Sequence, residues 1–400
     1  NLSESQVISA FSSYMFYQIL MRTCLRLRDN QITCHVFLLD HRTTVELLNY
    51  FDIDVARDHI LIDVGIIGSH KISADITNDQ VAEAAGKNLA ELRSKGDRGF
   101  AVSVMTDGAL KIVQDLFAKE KIGGIFALGG SGGSAISSAA MRSLPIGLPK
   151  ILVSTLVGQN ADAYVGQSDL ALFASVVDIA GINRISSKII ANAVDAMIGM
   201  VSAPVFEQSN QKKIIAASMF GVTTPCVTQA RKELEEKGYE VITFHMTGTG
   251  GKAMEKLIAD GLVDAVLDVT TTELCDEVVG GILSAGPERL TAAVEKNIPQ
   301  VVSLGALDMV NFGPVSTVPE KFKDRNLYVH NENVTLMRTT PQECEVIALD
   351  ICKKLKKAKA KTALMVPLRG VSAIASEGQP FYDPAADDAL FSTLRKNLSS

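Results

Sequence analysis

From Leu128 to Ala140 the chain reads LGGSGGSAISSAA, an apolar run that stops in four glycines and two serines and resumes as a helix of small residues. A strand that ends this way belongs to a βα unit. Without side chains in the way, backbone N–H groups converge, and the helix adds unsatisfied donors and the positive end of its dipole, which together suit a phosphate. The donors expected here are Gly129, Gly130, Ser131, Gly132, Gly133 and Ser134. A second loop of this kind, Thr247, Gly248, Thr249, Gly250, Gly251 and Lys252, lies further on. Two glycine turns on two similar halves point to a bound nucleotide or another phosphate.

The halves follow from the order of apolar runs. Cys34 to Leu39, a helix-like Thr44 to Ala56 and His59 to Gly65 form a βαβ unit. Thr77 and Gln80 have the spacing of a capping box, and a second helix starts near Asp97, where Arg98 is placed to reach an anion or simply faces solvent. Ile122 to Leu128 is apolar on both faces, as in a central parallel strand. Lys150 to Thr155 is the next strand, ending in the hydroxyls of Ser154 and Thr155. The stretch from Gly158 to Asp178, bordered by Asp169 and Asp178, reads as a long irregular connection. A helix over Ser187 to Val201 closes the first half, and Ser209 to Lys213 is a polar linker.

The βα rhythm then restarts. Strands are expected at Ile214 to Phe220, Glu240 to Met246, Val263 to Asp268, Gln300 to Leu304, Asn326 to His330 and Ala363 to Pro367. Helices are expected after Thr224 as N-cap, from Lys252 to Asp260, from Thr272 to Leu283 and from Glu288 to Lys296. The alternation implies an α/β fold with a parallel sheet covered on both faces, twice over. The division is an N-terminal segment 1–30 left unassigned, a first domain 31–208 and a second 209–400.

Composition excludes several classes. With 400 residues, 47% hydrophobic and 21% charged, the chain has enough apolar content for two cores. A net charge of −6 argues against a nucleic-acid footprint. Lys353 to Lys361 holds six lysines in nine residues, read as a solvated helix end. Six cysteines without a CxxC pair indicate neither a zinc site nor a disulfide framework, so a reducing cytoplasm is expected. No apolar run approaches the roughly 20 residues of a membrane span.

Each glycine loop follows an apolar strand and opens a helix, so both are expected at the carboxyl ends of strands, where ligands bind in open α/β sheets. Neither is a Walker A motif: in the second, the required glycine falls on Met246, and Ala253 follows Lys252. Both satisfy GxGxxA. A dinucleotide site also wants an acid about 20 residues on. Ser154 and Thr155 hold that place after the first loop; after the second it is Asp268, which keeps a nicotinamide dehydrogenase in view. Asp268, Glu273 and Asp276 are candidates for ribose or Mg²⁺, Glu273 foremost for the metal, against the plainer reading of acids favoured at a helix start. His245 is an acid/base candidate or a packed strand residue. There is no GxSxG elbow.

The motifs LGGSGGS, RSLPIGLPKILVST, YVGQSDL, SVVDIAGINRIS, FHMTGTGGKAME, PLRGVSA and EGQPFYDPAADDALF resemble the family of the tomato mosaic virus resistance protein, described as ATP-binding. The resemblance covers about Ile60 to Leu398. It implies two Rossmann-like α/β domains, a nucleotide site that uses the glycine loops to bind ATP, and a homodimer. Arg369, in the PLRG turn, would offset phosphate charge, as would Lys252. Plant relatives carry a further barrel-like domain, and these 400 residues end before one. Where the family opens with a GTxDTK turn, this sequence has LLDHRTT, Leu38 to Thr44. The leading expectation is an ATP-binding protein; the alternatives are an ATP-dependent enzyme acting on a small organic or sugar acid, and the dehydrogenase.

Overall fold

Two βα series, each with its own sheet, account for what the computed structural model describes, namely residues 35–39, 59–66, 74–158, 161–179, 183–202 and 212–398. By its internal contacts the chain divides into Asn1–Phe206 and Glu207–Ser400. The helix expected over Thr44 to Ala56, the turn Asp40 to Thr44 and most of the linker lie outside the described residues.

In the first unit, β1 (His35–Leu39), β2 (His59–Asp63), β3 (Gly124–Gly129), β4 (Lys150–Ser154) and β5 (Ala171–Ala174) form a parallel sheet in the order β2-β1-β3-β4-β5. Every residue of β3 is buried, which is why its sequence is apolar on both faces. Ile125 and Ala127 pack on one side with α1 (Asn78–Ala84), α2 (Leu89–Lys95), α3 (Arg98–Ala118) and α4 (Ser131–Arg142). Phe126 and Leu128 pack on the other with Ile190, Ala193, Val194 and Met197 of α6 (Ser186–Ser202). Each such buried Leu, Ile or Phe contributes roughly 1.5–3 kcal/mol. Helix starts follow the capping signals: Thr77 and Gln80 close a capping box on α1, and the Asp97 carboxylate accepts from Phe100 N at 2.9 Å at the head of α3. Gly108 lets α3 approach α1, since a Cβ there would fall on the Val81 carbonyl.

The stretch Gly158 to Asp178 is more ordered than its composition suggested. It contains α5 (Ala161–Val165) and the edge strand β5. Asp169 anchors its middle, accepting from the buried Lys150 ammonium at 2.7 Å and from Gly147 N at 2.7 Å. The ammonium lies inside the fold, so this carboxylate is a structural partner, and those hydrogen bonds outweigh burial to hold it below its ordinary range.

The second unit repeats the order. Its strands β6 (Ile214–Met219), β7 (Glu240–His245), β8 (Ala265–Thr270), β9 (Gln300–Gly305) and β13 (Thr362–Met365) are parallel, arranged β13-β9-β8-β6-β7. Numbered within its own unit, each sheet runs 2-1-3-4-5, the flavodoxin-like doubly wound order. One face carries α8 (Thr249–Ala259), α10 (Ala292–Glu295), α11 (Pro341–Leu355) and α12 (Pro384–Leu398); α7 (Thr224–Glu236) lies on the other, over β6 and β7. The N-cap of α7 is Thr223, one residue before the expected Thr224. The largest departure is a small antiparallel sheet, β10 (Met309–Phe312), β12 (Val334–Arg338) and β11 (Leu327–Asn331), so the apolar run near Asn326 is not a member of the parallel sheet. Among the described residues no helix is long and apolar enough to cross a membrane.

Candidate functional site

In a 2-1-3-4-5 sheet the crevice lies beyond the carboxyl ends of the first and third strands, where the winding reverses. In the first unit those strands are β1 and β3, which pair directly. The loop leaving β3 is the glycine stretch Gly129 to Ser134. Gly129 closes the strand; a Cβ there would stand 2.6 Å from Ser134 N, so the tight return of the chain requires glycine. Gly130 caps α4 without a side-chain bond, and the first internal bond of the helix is Ser134 N to Gly130 O at 2.8 Å. The N–H groups of Ser131, Gly132 and Gly133 therefore have no acceptor among the described residues and open onto the switch point.

Two hydroxyls expected to meet ligand serve the loop itself. Ser134 Oγ donates to Gly129 O at 2.9 Å, and it shares a 2.7 Å hydrogen bond with Ser154 Oγ. Both serines are buried. Thr155, half-buried, closes onto the loop through its N–H to Gly129 O at 3.4 Å. Arg98 completes the surroundings. It sits at the exposed head of α3, and its guanidinium lies 3.9 Å from where a Gly132 Cβ would stand. Two helix N-termini and one cation thus border the same crevice. Val176, just beyond β5 at the same sheet edge, holds φ at 63° and is 81% exposed. Few β-branched residues adopt that conformation.

The second loop has a different fate. It follows β7, the edge strand, so Thr247 to Lys252 lies away from its sheet's switch point between β6 and β8. Its donors are also occupied. Glu273 Oε1 accepts from Gly248 N at 2.7 Å and Gly251 N at 3.0 Å, so a carboxylate of the chain sits where a phosphate was expected. Gly251 and Gly250 are required by this closure: a Cβ on the first would fall on the Glu273 carboxylate and on the second on the His245 carbonyl. Thr247 and Thr249 hydroxyls lie 3.3 Å apart, and Lys252 is exposed on α8. His245 is exposed, its ring 5.4 Å from that of Phe220.

Behind Glu273 is a buried ion network that spacing did not reveal. The Arg289 guanidinium is fully enclosed and donates to both oxygens of Asp268 at 2.6 and 2.7 Å, to Glu273 Oε2 at 2.8 Å and to Glu255 Oε1 at 3.3 Å. Asp268 also accepts from Ser218 Oγ at 2.6 Å. The carboxylate read as a ribose ligand is thereby held by Arg289. Both oxygens of Glu273, read as a metal ligand, are likewise engaged, and no group of three metal-binding side chains occurs among the described residues. Burial raises Glu255 and Glu273 above their ordinary range, opposed by the Arg289 charge. Burial alone would favour a neutral Arg289, but Asp268 and the two glutamates hold it protonated.

Asp276 also turns inward, accepting from Asn311 Nδ2, Asn311 N and Leu283 N at 2.7, 3.0 and 3.2 Å. Burial pushes it up to about 7. The switch point of this unit is closed by its own side chains, with Thr223 and Thr270 hydroxyls 2.7 Å apart and buried. Arg369 belongs to an exposed turn after β13, tied down by Val371 O accepting from Ala306 N and by Ser372 Oγ donating to Asp308. Cys226 is an exposed free thiol, and Cys275, Cys344 and Cys352 are buried free thiols.

Comparison with known proteins agrees with this two-unit division. The N-terminal domain of the uncharacterised protein family UPF0261 matches residues 44–205, and the C-terminal domain of that family matches residues 212–400. A UPF0261 protein of Clostridium tetani is 54% identical over 340 residues, 85% of this chain and 84% of that one. Another from Rhizobium meliloti is 44% identical over 340 residues, with the same coverage. The ToMV resistance protein Tm-1(GCR237) of Solanum lycopersicum is 44% identical over 308 residues, 76% of this chain and 41% of the tomato protein. The resemblance read from the motifs therefore holds, and the chain belongs to the UPF0261 family, with the tomato resistance protein among its relatives.

Proposed function

We propose that this protein binds a nucleotide, ATP, with its phosphates on the loop Gly129 to Ser134 of the first unit. The observation that carries the reading is the set of Ser131, Gly132 and Gly133 N–H groups, without acceptors among the described residues, at the switch point of the sheet. Arg98 beside Gly132 supplies a positive charge to the same place. The second loop is left out because Glu273 already fills it, and a dehydrogenase is disfavoured because Asp268 is bonded to Arg289. Magnesium would then be held chiefly by phosphate oxygens and water, as is usual for that ion. In this reading the protein is a cytoplasmic homodimer, which sedimentation of the purified chain tests.

Isothermal titration with ATP and Mg²⁺, and separately with NAD, decides the matter. Saturable ATP binding that is lost in Gly132→Val and weakened about tenfold in Arg98→Gln is the expected result. No ATP binding, or tighter NAD binding, refutes it. One observation favours a second reading, an ATP-dependent enzyme acting on a small organic or sugar acid. Strained, exposed Val176 stands at the same sheet edge, and stored backbone strain clusters at active sites. That reading requires release of ADP or AMP only when a small acid is supplied.

A further inference from the structure

The parallel sheet of the second unit is unevenly covered. On the face that carries α7, the described helices stop short of β9 and β13, leaving Val301 37% exposed, Met365 57% exposed, and Ala363 exposed between them. These three side chains share a face through the register Ala363 to Val301 and Met365 to Ser303. Parallel sheets ordinarily bury both faces. β13 is also the edge of the sheet, with β9 its partner among the described strands. Gln300 N donates to Lys361 O, which fixes the ladder so that Ala363 and Met365 bond inward. Thr362 and Leu364 consequently turn their N–H and C=O groups outward, an open template for another strand.

The chain leading into that edge is rich in lysine. Lys354 is paired with Asp350. Lys353, Lys356, Lys357, Lys359 and Lys361 are exposed, make no ion pair among the described residues, and lead from the end of α11 into β13. Leu364 packs toward α11, so the lysines of that helix end, Lys353, Lys356 and Lys357, lie on one side of the sheet and the uncovered apolar surface on the other. A strand added to this edge would present alternate side chains to the two environments.

We propose that the outer edge of β13 receives an extended segment of a partner protein, acidic at the residues turned toward the α11 lysines and apolar at those turned toward Met365 and Ala363. The charge selects the occupant. A second copy pairing edge to edge would offer Thr362–Met365, a strand without an acid, whereas an acidic strand neutralises the lysines. A strand alone satisfies alternating backbone donors and acceptors, which separates this partner from an anionic membrane or a nucleic acid.

The test uses the full chain and a fluorescent eight-residue peptide of alternating glutamate and valine, followed by anisotropy. Expected are saturable binding that weakens at least tenfold with added salt, at least tenfold weaker binding by the lysine/valine peptide, and a tenfold loss on methylating alternate peptide nitrogens. The triple variant Lys356→Glu, Lys357→Glu, Lys359→Glu, checked for an unchanged melting temperature, should lose the interaction. Equal binding of the N-methylated peptide would reduce the contact to charge alone and overturn strand addition. Absence of saturable binding, or self-association of the chain through this edge, would equally overturn it and leave the lysines as guards against edge pairing.

Discussion

Gly129 and Gly132 lie three residues apart and answer to different constraints. Gly129 is held by the chain itself, because a Cβ would meet Ser134 N at 2.6 Å and Gly133 C at 2.7 Å. Gly129→Ala should cost about 1–3 kcal/mol by overpacking, read as a lower midpoint in urea. A Cβ on Gly132 would meet Val102 and Arg98 side chains only at ordinary contact distances, so Gly132→Val should unfold within about 1 kcal/mol of wild type while losing ligand. A residue proposed to bind phosphate through its backbone is therefore separable from one that shapes the loop, and the pair of midpoints checks that division before any ligand is added. At Arg289 the expectation is harsher. Replacing it with Met would leave Asp268, Glu273 and Glu255 enclosed without their cation, a loss of about 3–5 kcal/mol. A loss below 1 kcal/mol would mean that the three acids take up protons freely in the native state.

Among elements, α9 (Glu273–Val279) shows how an inward acid sets pH dependence. Asp276 keeps its proton in the native chain up to about pH 7, because burial opposes its charge, while in the unfolded chain it ionises near its ordinary 3.8. Between those values the native state binds more protons, so this contribution to stability is greatest at the acidic end and declines as pH rises toward 7. Asp308, pushed up to about 6 by burial, acts in the same direction. Urea midpoints should therefore fall from pH 5 to pH 8, and Asp276→Asn should flatten the upper part of that fall. Asn311 can accept the new amide by turning its own, since its Oδ1 has no partner. A rise in stability across the same range would contradict the assignment.

Elements with strong local signals were legible in the sequence: fully apolar β3, the Thr77 capping box and the glycine exit to α4 all report through residues a few positions apart. β5 was not, because its four residues, three half-buried and Ala174 exposed, carry little periodicity. Nor were β10 and β12, whose pairing depends on residues more than 20 positions apart. The same limit applies to the sites. The first loop declares itself locally, whereas Glu273 reaches Gly248 across 25 positions and Arg289 reaches Glu255 across 34, choices that only packing makes.

For the whole molecule, the repeated 2-1-3-4-5 order gives each unit its own parallel sheet and separate cores. Expressed alone, residues 207–400 should show cooperative unfolding with native far-UV circular dichroism; a sloping, non-cooperative melt would show dependence on the first unit. The repeat also explains why two glycine loops look alike and differ in setting, since one leaves the third strand of its sheet and the other leaves the edge strand. The edge-strand loop has been given a built-in counter-ion in Glu273. Shortening that residue to alanine would vacate a seat already furnished with two amide donors and the Arg289 Nε. Free inorganic phosphate or sulfate should then restore the melting temperature of the Glu273→Ala protein and leave the wild type unmoved, turning a sealed turn into an anion receptor by chemical rescue.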